Sequence, residues 1–516
     1  MKKMNSFFLV SILLLVLFSL VACSSSQSQT KTGTEIETEA TGAEKGGSLV
    51  YAISNDVDGL DPHRTVSAST FQVTNNVFDT LVGTTPEGEL KPRLAKDWAS
   101  SEDGLTWTFN LESGVTFHNG REMTAEDVVY SFERLKAAES PRAAEFSNII
   151  DVKADGSDKV VMILGKADAT FISSLAMPWS AIVAKEADAD MKKNPIGTGP
   201  FKLEEWVPQQ KVILNKNEDY FIENKPMLDK VTFSIIPEAT TLLANLQAGE
   251  VDIVGVSGEQ VSSLESDPAI EMMESPLNMV QVLAFNNSHE PLNNVKVRQA
   301  ISMAINKADI IEGAGWGYGT EIGSHMAPTS PYYADTTSVL PFDADKAKSL
   351  LKEAGFADGL KLKLTLPEPY KLHVDSGQMI AEQLKQIGVE VEIEVIEWGK
   401  WVDDVYKGRN YEMTVISHTG RLDPDAMLAR YHSQSGENYY NYKNQEIDQL
   451  LTEAKVELNE QKRKEMYTKI QEILAEEVPA VYIQAPDSII AMNKKVEGLQ
   501  IYPIDIIDLS NISLEQ

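Results

Sequence analysis

Seven histidines, one cysteine and a large surplus of carboxylates are what this 516-residue sequence offers to chemistry. The histidines (63, 118, 289, 325, 373, 418 and 432) never fall three to five residues apart, the spacing that builds a local zinc site. A serine nucleophile would call for an elbow such as G-x-S-x-G, and "GVSGE" at 255–259 has the wrong glycine spacing. No G-x-x-x-x-G-K-[ST] phosphate cradle occurs. "GAGWGYG" at 313–319 lacks the G-x-G-x-x-G spacing and follows a predicted helix rather than a strand, so it reads as a loop. Among 77 acidic residues, carboxylate pairs are too common for any one to stand out as an acid/base couple. The chain does not read as an enzyme, and nothing in it asks for a cofactor or a resident metal.

One stretch does gather functional groups: "YEMTVISHTGRLDPDAMLARYHS", residues 411–433. Tyr411–Ser417 reads as a strand and His418 to Asp425 as a loop. Asp423 is placed as an N-cap, with Pro424 at the first helical position and an acid in the first turn, a standard helix start. Arg421 can meet a ligand carboxylate or a neighbouring acid, and His418 can offer an imidazole to a metal or simply hydrogen-bond. Nearby, Trp398 and Trp401 in "EWGKWVDD" can form a stacking wall or pack in the core. Tyr439, Tyr440 and Tyr442 read as rim residues or surface strand.

The elements that must position these residues alternate between helix and strand. In "LTWTFNLESGVTFHNG", Leu105, Trp107, Phe109 and Leu111 fall on one face of a strand. Thr124 with Asp127 makes a weak capping box ahead of a stripe of Val128, Val129, Phe132 and Leu135. Asp343 caps a helix that Gly355 ends. A further helix through Ile380, Leu384 and Ile387 stops at Gly388, and Val389, Val391, Ile393 and Val395 then alternate with glutamates. Such alternation over hundreds of residues predicts α/β lobes with helix-covered sheets.

The lone cysteine, Cys23, stands near the start of the chain. Lys2 and Lys3 precede an apolar run from Ser6 to Ala22, the layout of a secretory signal. Its 17 residues sit at the lower edge of what spans a bilayer. Leu20-Val21-Ala22-Cys23 resembles the bacterial lipobox, which implies cleavage before Cys23 and lipidation of its thiol. The polar stretch that follows reads as a tether. The expectation is a signal peptide at 1–22 and a lipid-anchored tether at 23–45, with no thiol left for a disulfide or metal in the folded body. A formal charge of −31, with no Lys/Arg cluster, disfavours nucleic acid.

Residues 90–134 carry a denser signal: Leu94-Ala95-x-x-Trp98, then "DGLTWTF", "GVTFHNG" and "TAEDV". This region resembles the signature of extracellular solute-binding proteins of family 5, the peptide- and nickel-type receptors of ABC importers. Stretches such as "NPIGTGPFKLEEW" (194–206), "NNVKVRQAISMAINK" (293–307) and "NYYNYKNQEIDQLLTEA" (438–454) follow in the family's order. The resemblance implies an α/β, two-lobed periplasmic-binding-protein-like fold with an additional subdomain on the first lobe. Carried onto this chain, the first lobe is 46–83, 194–284 and 482–516, the subdomain 84–193 and the second lobe 285–481. "PIGTGPF" (195–201) and "VPAVYIQ" (478–484) are the expected crossings between lobes.

The resemblance also implies a function. A lipid-anchored monomer on the outer face of a cell membrane (periplasmic in a Gram-negative cell) captures short peptides by lobe closure and delivers them to the permease subunits of an ABC transporter. Asp423 is the counterpart of an aspartate that pairs with a peptide's amino terminus in relatives. Ligand-binding residues are then expected to be Asp423, Arg421, His418, Trp398, Trp401 and Tyr439. His418 stands where relatives often have tryptophan or glycine, which keeps a nickel-chelate receptor in view, and the family also includes oligosaccharide receptors. A surface peptide hydrolase or a peptide-sensing signalling protein is the alternative of another class.

Overall fold

The computed structural model describes residues 46–368, 370–504 and 506–515. The signal peptide, Cys23 and the tether expected at 23–45 lie outside the described residues. No helix among the described residues is long and apolar enough to cross a membrane.

A 14-residue strand, Ala480–Asn493, organises the body. Its first half pairs antiparallel with Met279–Phe285, and its second half with Ile253–Val256 and Ile270–Pro276. Two sheets are thereby joined through one strand. In the first lobe, Ser48–Ile53 runs parallel to Lys230–Ile235 and Ile253–Val256, while Lys211–Lys216 and Phe201–Val207 extend the sheet antiparallel. In the second lobe, Leu360–Pro367 runs parallel to Val389–Ile396 and to Met413–Thr419, and the last of these pairs antiparallel with Met279–Phe285.

The chain passes between lobes at Pro276–Met279 and at Gln484–Ser488, where the pairing of the two neighbouring strands switches sheets. Residues 279–284 therefore pair in the second sheet rather than the first, and the return falls a few residues after 481. "PIGTGPF", expected to be a crossing, lies elsewhere. It does not cross between lobes: Gly199 N–H donates to Val77 O (2.9 Å), Phe201 N–H to Asn76 O (3.0 Å), and His118 N–H to Gly197 O (2.9 Å). The segment brings the subdomain back to the first lobe, and a Cβ at Gly197 would sit 1.9 Å from Val77 O. That close approach is why glycine stands there.

The subdomain is a four-stranded antiparallel sheet in the order Ala95–Ser100, Thr106–Leu111, Lys159–Leu164, Ile149–Ala154. Trp107, Phe109 and Leu111 face inward as their alternation predicts. Helix Ala125–Lys136 forms the capping box between Thr124 and Asp127 and buries Val128, Phe132 and Leu135 completely. In the second lobe, Asp343 accepts from Lys346 N–H as the N-cap of Ala344–Glu353, and Gly355 ends that helix at φ +95°. Val389–Ile396 lies at the sheet edge. Its glutamates pair with Lys361 and Lys363 of the adjacent strand, and charge on an edge strand discourages further pairing.

Candidate functional site: the interlobe cleft

Strand direction determines where a ligand site can form. Ile253–Val256 is antiparallel to the crossing strand and ends opposite Ile489, so the carboxyl ends of the first lobe's parallel strands face the crossing. Met413–Thr419 ends opposite Met279, at the start of the strand that has just crossed, so the carboxyl ends of the second lobe's parallel strands face it too. Loops beyond strand carboxyl ends are where open α/β sheets bind ligands, and here two sets of them meet.

Three loops of the second lobe come to this edge. After Leu360–Pro367 come Tyr370 and His373; after Val389–Ile396 comes Trp398; after Met413–Thr419 come Gly420 and Arg421. Tyr370 meets Trp398 edge-on, with ring centroids 5.1 Å apart, and Trp398 stacks on Trp401 at 5.1 Å and 7°. Trp401 itself is buried and donates its indole N–H to Thr414 Oγ1 (2.9 Å), so it backs Trp398 from within the core. Tyr439, Tyr440 and Tyr442 are core residues, not the rim or surface strand their sequence suggested. Tyr439 lies fully buried behind His418, with its hydroxyl 3.1 Å from His418 Nε2.

His418 packs beside His325, ring centroids 4.9 Å apart, and burial holds both well below the ordinary imidazole pKa, with Arg430 adding to the effect. Both are neutral near pH 7. Among the described residues no group of three metal-ligating side chains occurs. His373, lowered to about 4 by burial, is held by Gln281, which also donates to Ser376 and accepts from Gln484 of the crossing strand.

Asp423 and Arg421 part company. Both oxygens of Asp423 are taken by the guanidinium of Arg463, at 2.9 and 3.0 Å, and Oδ1 also accepts from Asp425 N–H. Both partners are buried. Burial disfavours the Arg463 charge, but Asp423 outweighs it and raises the pKa. The carboxylate expected to meet an ammonium group is already neutralised by a long-range partner that the local sequence does not announce.

Arg421 reaches instead across the cleft to the subdomain. Its guanidinium lies 3.4 Å from Glu145 and over the Trp179 ring at 5.2 Å. Asn278, at the crossing, fixes the loop: it accepts from Gly420 N–H (2.6 Å) through its backbone oxygen and donates its amide to Arg421 O (3.1 Å) and Pro503 O (2.9 Å). A Cβ on Gly420 would lie 2.1 Å from Asn278 Oδ1, so only glycine fits.

Two cavities adjoin at Arg421 and Met177. One, of about 270 Å³, is bounded by Val66 and Phe71 of the first lobe, Arg142 and Trp179 of the subdomain, and Thr419 and Gly420 of the second lobe. The other, of about 200 Å³, carries Glu145, Asp168, Asp423 and Asp425. Burial raises Asp425 to about 6; Lys455 opposes this, and Asp423 and Asp168 add to it. Sequence reasoning missed Arg142, Glu145 and Trp179. Arg142 and Glu145 sit in a run of turns, "SPRAAEF", and Trp179 in the one-turn 3-10 helix Pro178–Ser180, both too short for periodicity to mark a face.

A hinged pair of α/β lobes with side chains from both meeting in one cleft defines a solute-binding protein. The chain belongs to the bacterial extracellular solute-binding proteins, family 5 (Middle), whose family model matches residues 89–469. It is 31% identical to the dipeptide-binding protein of Escherichia coli K12, over 91% of this chain and 95% of that one. It is 28% identical to the oligopeptide-binding protein AppA of Bacillus subtilis 168, over 97% of each. Among solved structures it resembles HbpA2 of Haemophilus parasuis (TM-score 0.84, 27% identity, 91% of this chain and 100% of that one). It also resembles the ABC transporter-associated periplasmic binding protein DppA of Helicobacter pylori in complex with the peptide STSA (TM-score 0.73, 30% identity, 92% and 99%).

Proposed function

We propose that this protein is the lipid-anchored receptor of an ABC importer. It captures short peptides in the interlobe cleft and hands them to the permease subunits at the outer face of the membrane. The observation that carries this reading is the meeting of Arg421 from the second lobe with Glu145 and Trp179 from the subdomain, across cavities lined by both sides. A ligand there touches both lobes only when they close, so binding favours the closed form, which a permease can distinguish from the open one. The dipeptide- and oligopeptide-binding relatives support peptide as the ligand class.

The test compares uptake of a labelled peptide pool by cells with and without the protein, and follows the same pool incubated with the purified protein. A receptor gives uptake that falls without it and peptides recovered intact. Turnover of the pool identifies a hydrolase, and unchanged uptake with intact binding identifies a sensor; either result overturns the proposal.

A further inference from the structure

We infer that Arg142 and Arg421 form an anion subsite over Trp179 that takes the free carboxylate of the bound peptide, an inference that rests on the peptide-receptor reading. The chain carries a formal charge of −31, yet among the described residues the only charged ones lining the cavity of about 270 Å³ are these two arginines. In a molecule this acidic, a pocket whose described lining holds two guanidiniums and no carboxylate is a local reversal of sign, and it selects for an anion.

The bonding of Arg142 points the same way. Among the described residues, no carboxylate lies within 4 Å of its guanidinium, and none of its guanidinium nitrogens donates to a protein acceptor. Its Nε is buried without a partner, while the guanidinium lies 4.1 Å from the Trp179 ring centroid. An arginine half removed from water normally finds an acceptor, because its five donors form a fork that suits a carboxylate. Burial lowers the Arg142 pKa, opposed by Glu145 and reinforced by Arg421.

Glu145 does not complete the charge balance. Its Oε1 receives the Trp179 indole N–H (3.3 Å) and lies 3.4 Å from Arg421, so this carboxylate is shared by the Arg421 guanidinium and the indole and does not reach Arg142. The ring holds both cations in place, and Arg142 comes from the subdomain while Arg421 comes from the second lobe. A carboxylate between them neutralises the repulsion that closure would otherwise build up. The same group therefore supplies affinity and helps hold the lobes together. The ligand's ammonium plays no part at Asp423, whose oxygens Arg463 already occupies.

The test uses the purified full chain and a random tripeptide library, once with free carboxyl termini and once amidated. Binding is read by competition, with thermal melting as a folding check. The free-acid library should bind on the order of tenfold to a hundredfold more tightly, the usual worth of a hydrogen-bonded ion pair. Arg142→Gln should erase that preference, weakening the free-acid library tenfold or more relative to the amidated one, with the protein still melting as a folded chain. Equal binding of both libraries overturns the subsite and leaves the peptide reading intact. An Arg142→Gln variant that weakens acid and amide alike also overturns it, since the arginine would then be a structural part of the cleft. If neither library binds, the peptide reading falls and the subsite falls with it.

Discussion

Asp423 and Arg421 stand two residues apart in one loop, and their surroundings give them opposite tasks. Asp423 is locked to Arg463 in a buried pair, 40 positions away along the chain. Removing one member of such a pair leaves the other charge buried and uncompensated, which costs about 3–5 kcal/mol. Arg463→Ala should lower stability by that amount in urea unfolding at pH 7, and a loss below about 1 kcal/mol would show that Asp423 is free for another partner. At this scale the sequence was legible only locally. "DPDA" marked a helix start, and Asp423 does accept from Asp425 N–H. Arg463 sits inside helix Glu460–Glu477, where a lysine- and glutamate-rich pattern gives one arginine no distinction. Tyr439 and its neighbours misled because an aromatic-polar run such as "ENYYNYKNQ" has the same composition on a surface strand and in a core loop.

The elements were more legible than their connections. Helix and strand periods, Asp343, Gly355 and the Thr124 capping box are local signals, and local signals survive without knowledge of the tertiary fold. Asp343→Ala should cost about 1 kcal/mol in the same unfolding assay, the usual worth of an N-cap. The crossings were harder. Residues 279–284 and 480–485 are apolar strands that look alike whichever sheet they join, and only pairing across about 200 positions separates the lobes. Two glycines now have element-level meaning. Gly197→Ala would drive a Cβ against the Val77 backbone and should lower the melting temperature by several degrees. Gly420→Ala would push the loop off Asn278 and misplace Arg421. It should weaken ligand binding at least tenfold with a smaller effect on stability, and unchanged affinity would contradict the role given to that loop.

At the scale of the whole molecule, charge across the cleft should make stability depend on pH. Asp425 of the second lobe and Asp168 of the subdomain line the same cavity, together with Glu145, Asp423 and Arg421, while Lys455 lies 3.8 Å from Asp425 and Arg463 holds Asp423. Burial raises Asp425 to about 6, above the unfolded value of about 3.9. The folded protein therefore binds more protons between those values. The contribution of Asp425 is complete below about pH 4 and is lost as pH rises through about 6. Urea unfolding from pH 4 to 7 should show the wild type losing stability relative to Asp425→Asn, and parallel curves would contradict this.

Native mass spectrometry of the gently purified protein reads out whether the cleft holds a peptide. Small peptide masses should ride with the folded protein and be released intact on denaturation. A nickel-containing adduct lost on His418→Ala, or a carbohydrate in place of peptide, would contradict peptide binding.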